Sequence, residues 1–125
     1  MKHDSKDTED GKYAVLCGAS PEPILTGEVH RLEFKLTLKV NGSLVNGVKD
    51  AQVVWLKNGR ELKKFAAPES SVYRKGKGWY DTEVFIPTQP GEYEVNVSFS
   101  AEGKKYSLHF LEDVVNRSTI YVPVE

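Results

Sequence analysis

The chain has 125 residues, one cysteine, and 17 basic against 18 acidic side chains. That length suits one domain with one hydrophobic core, and near-neutrality removes any bulk electrostatic case for nucleic acid or an anionic membrane as partner. The lone Cys17 excludes an internal disulfide, and no apolar run approaches the roughly 18 residues that cross a bilayer, so no direct membrane insertion of this domain is expected.

Residues 1–12 are almost wholly polar or charged and read as a disordered tail without a signal-peptide pattern. A secreted protein would therefore carry its signal upstream, and the folded domain is expected over 13–125. Residues 13–17 open it as a strand, with Cys17 as a small buried hydrophobe. A Pro-punctuated stretch at 20–26 follows. Over 32–40, Leu32, Phe34, Leu36, Leu38 and Val40 alternate with Glu33, Lys35, Thr37 and Lys39, the period of a half-buried strand. Asn41-Gly42 and Asn46-Gly47 mark turns, because both residue types tolerate positive φ. Residues 51–57 and 60–65 read as a hairpin closed by Asn58-Gly59, and a looser polar stretch over 66–78 leads to a strand at 79–86. There Tyr80, Thr82, Val84 and Ile86 are expected to face inward, which would leave Trp79 exposed. A Pro87-Thr88-Gln89-Pro90-Gly91 corner then enters the most regular run of the chain. In it Tyr93, Val95, Val97 and Phe99 share one face, and Glu92, Glu94, Asn96 and Ser98 the other. Strands at 105–111 and 119–124 complete the set. Seven to nine short strands with turns about every ten residues predict an all-β, antiparallel sandwich.

The chemistry-bearing residues are sparse. Nucleophilic catalysis needs a Ser or Cys with a His base held by a third group, but His3, His30 and His109 fall in a tail, a strand entry and a strand. Metal sites need three or four clustered ligands, and the sequence offers no His-x-His, paired Cys or Met-rich segment. His109, between Leu108 and Phe110, is expected to face solvent. The pairs Glu92/Glu94 and Asp81/Glu83 read as ordinary outward-facing carboxylates, and the glycines fall singly at turns rather than cradling a phosphate. No enzyme activity, metal or cofactor is expected.

Basic and aromatic residues do cluster. Lys57, Arg60, Lys63 and Lys64 lie around the hairpin, and Tyr73, Arg74, Lys75, Lys77, Trp79 and Tyr80 precede the next strand. Lysines interleaved with rings suit a sulfated, phosphorylated or acidic partner by charge and stacking, and loops on a rigid sandwich are where such domains bind. The expected site is thus Lys57, Arg60, Tyr73, Arg74, Lys75, Lys77 and Trp79, with Trp79 as the anchor. Three of five asparagines, Asn41, Asn96 and Asn116, stand in Asn-x-Ser/Thr triplets where 15 Ser plus Thr make fewer than one the chance expectation. These glycosylation triplets point toward the secretory pathway.

Residues 51–62, AQVVWLKNGREL, resemble strands C and C′ of immunoglobulin-like domains, with Trp55 at the position of the buried Trp. The segment Gly91-Glu92-Tyr93-Glu94-Val95 is similar to strand F, where Tyr93 would form a tyrosine corner and Val95 stands in place of a cysteine. The resemblance implies that aliphatic contact with Leu36 replaces the inter-sheet disulfide. More narrowly, Pro87-Thr88, Pro90-Gly91, Tyr93, Val95 and Val97 look like the repeat signature of filamin-type domains, and 46–53 with 90–95 are similar to the periplasmic YtkA and FixH-like sandwiches. The first implication is a non-enzymatic interaction module of a secreted or cell-surface protein, extracellular in place, binding a protein or glycan. The filamin likeness implies a spacer in a longer rod, and the third likeness a bacterial periplasmic accessory domain.

Overall fold

The computed structural model describes residues 4–69 and 78–117. Among the described residues there are nine strands: β1 (Asp4–Asp7), β2 (Tyr13–Ser20), β3 (Ile24–Leu25), β4 (Arg31–Leu38), β5 (Lys49–Lys57), β6 (Arg60–Ala66), β7 (Trp79–Asp81), β8 (Gly91–Ala101) and β9 (Lys104–Val115). They form two sheets, of order β1-β2-β4-β7 and β3-β9-β8-β5-β6. All pairs are antiparallel except the short β3 beside β9. The expected all-β sandwich is therefore present. The strand expected at 119–124 lies outside the described residues.

Alternation decides which faces meet. Leu32, Phe34 and Leu36 of β4 and Val95, Val97 and Phe99 of β8 are fully or almost fully buried, and with Val15, Val53 and Trp55 they belong to one core. Leu36 and Val95 occupy that core as aliphatic residues with no disulfide between the sheets, and Cys17 is buried as a free thiol. Aromatic rings pack edge-on or offset at both ends of the core. Tyr13 meets Tyr106 at 5.3 Å and 87°, and Trp55 meets Tyr93 at 5.8 Å and 76°. The Tyr93 hydroxyl donates to the Gln89 carbonyl at 2.7 Å, the corner bond expected from its place at the start of β8. Asn58 and Gly59 both take positive φ, 53° and 78°, the pairing that suits a two-residue hairpin turn to the strand twist.

Three expectations are corrected. The stretch read as a disordered tail carries β1, which pairs with β2 from Asp4↔Cys17 to Asp7↔Ala14. Its DSKD sequence has no apolar alternation, because an edge strand needs backbone pairing rather than buried side chains. The strand expected over 79–86 pairs regularly only as β7. Beyond Asp81, Thr82 donates its N–H to the Leu32 carbonyl, and its hydroxyl accepts the Leu32 N–H. The ladder then resumes at a His30↔Phe85 bridge. Two residues on β4's side thus face three on the other, a one-residue slip that swaps faces. Phe85 packs on the core, whereas Val84 and Ile86 are 51% and 56% exposed. Third, Asp81 is buried directly opposite buried Glu33 instead of facing water, because Ser20, Pro21, His30, Arg31 and Val84 wall the space over it.

Candidate functional site

The two sheets part between β6 and the irregular segment that follows β7. The opening is a cleft of about 420 Å³ whose floor is Trp55, Phe65, Phe85 and Tyr93. Trp55 and Phe85 are 4.7 Å apart by ring centroid, and Phe65 and Phe85 6.0 Å. The volume is within the roughly 300–1,000 Å³ of ligand pockets. Three exposed apolar side chains, Leu62, Val84 and Ile86, stand on its walls.

Two register slips put them there. Trp55 pairs with Lys63 and Leu56 with Glu61, so Leu62 is the extra residue of a β-bulge in β6. A bulge re-aims a side chain without ending a strand. The slip between Thr82 and Phe85 does the same for Val84 across the gap. At the floor the Trp55 indole N–H is buried and has no acceptor, an unpaired donor in apolar surroundings.

One end of the cleft is basic. An adjoining depression of about 570 Å³, lined by Lys57, Arg60 and Gln89, shares Leu62, Thr88 and Tyr93 with the cleft, so the two form one groove. Lys57 is held there by geometry: its Nζ is 3.3 Å from the Pro90 carbonyl and 4.5 Å from the Tyr93 ring centroid. Gly91 makes room for it, because a Cβ at that position would stand 2.6 Å from Lys57 Nζ, and its φ of 124° suits only glycine. Lys63 lies over the Phe65 ring at 5.7 Å. Glu83 is the acidic member of the lining. Burial pushes the Tyr93 phenol up from its ordinary pKa, so it stays a neutral hydrogen-bond donor at the junction of the two halves.

The site residues expected from sequence divide. Lys57 and Arg60 border the groove. Trp79 lies elsewhere, half-buried on the outer face of the first sheet opposite Lys35, whose Nζ is 5.2 Å from its ring. Its neighbour Tyr80 points inward, with its hydroxyl on the Val45 carbonyl at 2.9 Å, and burial raises its pKa to about 12. Tyr73, Arg74, Lys75 and Lys77 fall outside the described residues. Of the glycosylation triplets, Asn41 is exposed in a turn where its Oδ1 accepts the Ser43 N–H. Asn96 lies on the outer face of β8 with its Oδ1 2.8 Å from Nδ1 of solvent-exposed His109, and Asn116 is exposed after β9. Among the described residues, no group of three or more His, Cys, Asp or Glu is placed to hold a metal ion.

Sequence reasoning missed Leu62, Val84, Phe85 and Ile86. The available signal was the run Val84-Phe85-Ile86, which puts apolar residues on both faces of what should be a half-buried strand.

No family model matches the chain. The chain is similar to the myoblast growth factor receptor egl-15 of Caenorhabditis elegans, with 29% identity over 102 residues, 80% of this chain. It spans only about 10% of that relative's length. Among solved structures it is similar to the CARDB domain of a Pyrococcus furiosus protein, crystallised in complex with di-metal ions, at 18% identity and a TM-score of 0.41 over 90% of this chain and 95% of that one.

Proposed function

We propose that this β-sandwich is a non-enzymatic interaction module of a secreted or cell-surface protein, and that it holds a protein partner at the open edge between β6 and residues 83–88. The observation that carries the reading is the cleft itself. Of the large apolar side chains exposed among the described residues, Leu62, Val84 and Ile86 converge on one opening with an aromatic floor, and clustered rather than scattered apolar exposure marks a binding surface. Exposed aliphatic walls suit the apolar side chains of a protein, which lose no hydrogen bonds there, better than sugar hydroxyls, which would. The likeness to part of a receptor supports a place outside the cell.

The test is site-specific photo-cross-linking in the whole protein in its native host. A photoreactive residue at Ile86 or Leu62 should give discrete adducts with another protein, and one at Leu111, exposed on the outer face of the second sheet, should give none. Adducts of equal yield at all three positions, or none at Ile86 and Leu62, would reject the reading.

A further inference from the structure

The groove has chemical polarity along its length, and this narrows the partner. Its apolar half is walled by Leu62, Val84 and Ile86 over Trp55 and Phe85. Its other half carries Lys57 and Arg60, whereas Lys63 and Glu83 both line the apolar half. Among its lining side chains, cations outnumber acids by three to one. Its wall is also an unused ladder: β6 is the last strand of its sheet, hydrogen-bonded to β5 on one side, and no described strand pairs with its other side. An unpaired edge beside an apolar trough is the setting in which an extended segment adds as a strand. Main-chain bonds then supply affinity, and alternate side chains fill pockets.

Resting on the function proposed above, we propose that the groove takes an extended segment of a partner protein that is apolar at one end and acidic at the other. It lies along β6 with an apolar side chain over Trp55 and Phe85 and a carboxylate at Lys57 and Arg60. The charges fix direction, since Lys57 and Arg60 meet the acidic end in one orientation, whereas a reversed segment would bring that end to Lys63 and Glu83, whose charges offset each other. Lys57 is preorganised for this role, since the Pro90 carbonyl and the Tyr93 ring hold its ammonium at the groove.

The experiment uses the whole chain with Trp79→Phe, so that Trp55 is the single indole. The probes are three capped eight-residue peptides: four Val followed by four Glu, four Val followed by four Lys, and four Ser followed by four Glu. The Val/Glu peptide should shift the Trp55 indole N–H resonance, which has no acceptor of its own, and should bind at least tenfold more tightly than either of the others. Lys57→Ser with Arg60→Ser should weaken it at least fivefold, with the difference shrinking between about 50 and 500 mM salt as exposed charges are screened. Leu62→Asp should weaken it tenfold or more, and Leu62→Ser in the same direction if the aspartate variant melts early. Equal binding of the Val/Lys peptide, or no shift with any peptide, would overturn the proposal. A shift that follows protein concentration without peptide would overturn it in favour of a second copy of the chain. If cross-links at Ile86 are found while all peptides fail, the docking surface stands and only this partner chemistry falls. If both fail, both readings fall.

Discussion

The two flanks of this sandwich are built from the same kinds of strand yet end differently. On one flank, β1 and the turn after it close the gap between the sheets. Asp10 accepts from the Thr8 hydroxyl at 2.8 Å, the Lys12 backbone N–H at 3.0 Å, the Tyr106 hydroxyl at 2.8 Å and the Lys104 ammonium at 3.0 Å. Lys6 adds a bond to the His109 carbonyl, and the Tyr13 and Tyr106 rings plug the space behind. On the other flank no described strand bridges the sheets, and two register slips turn Leu62 and Val84 outward around an aromatic floor. The contrast shows how a sandwich separates stability from binding. Polar side chains that find partners seal an edge, whereas apolar side chains left without them make a surface that waits for another molecule.

The largest expected effects test whether the two flanks share one core. Trp55→Ala at the open flank and Tyr13→Ala at the closed one should each cost about 3–5 kcal/mol on chemical denaturation, because both rings are buried in the same cluster. A loss under about 1 kcal/mol for Trp55 alone would make the groove floor peripheral. Next comes the corner bond: Tyr93→Phe should cost about 1 kcal/mol and leave the fold intact, since one neutral hydrogen bond is removed with its ring kept.

The closed flank should also show its polar construction in pH. The Lys12 N–H first, then the Tyr106 hydroxyl and Lys104, hold the Asp10 carboxyl well below the usual range. A depressed acid contributes stability that is present above its unfolded pKa, about 4, and lost as pH falls toward the folded value. Asp10→Asn should therefore flatten the acid limb of the stability profile below about pH 4. Burial, followed by the Asp10 bond, raises the Tyr106 phenol to about 12. Its contribution is full below its unfolded pKa of about 10 and fades as pH rises through the folded value, so Tyr106→Phe should flatten part of the alkaline limb. Tyr80, also raised to about 12, accounts for more of that limb. An acid limb unchanged in Asp10→Asn would show that other contacts seal this flank. The smallest effect is at the open flank, where Ile86→Ser should stay within about 0.5 kcal/mol of the parent, as expected of an exposed side chain. A larger loss there would mean that the groove wall is structural.

The sequence carried the regular strands because their burial follows a period of two. Leu32, Phe34 and Leu36, and Tyr93 through Phe99, are buried as their alternation requires, and the Tyr93 corner follows from the Pro-Gly turn before it. β1 was illegible because an edge strand of four polar residues has no face to bury. The groove was illegible for another reason. A bulge adds one residue without a Gly, Pro or Asn to announce it, so Leu62 and the Thr82–Phe85 slip look like continuations of their strands. Charge density drew attention to residues 73–79 instead. Of these, Trp79 lies on the outer face of the opposite sheet from Lys57 and Arg60, so a single surface joining them was not readable from proximity in sequence.

The lysines at positions 63 and 64 have a consequence for the molecule in concentrated solution. An open, hydrogen-bond-ready strand beside an oily trough invites a second copy of the same protein to pair edge to edge with it. Two adjacent ammonium groups on that strand, both exposed, repel the matching pair on an approaching copy and so oppose edge-to-edge pairing. Lys63 would thus serve both colloidal behaviour and partner selection, and a partner bearing carboxylates would neutralise part of the repulsion that keeps identical copies apart.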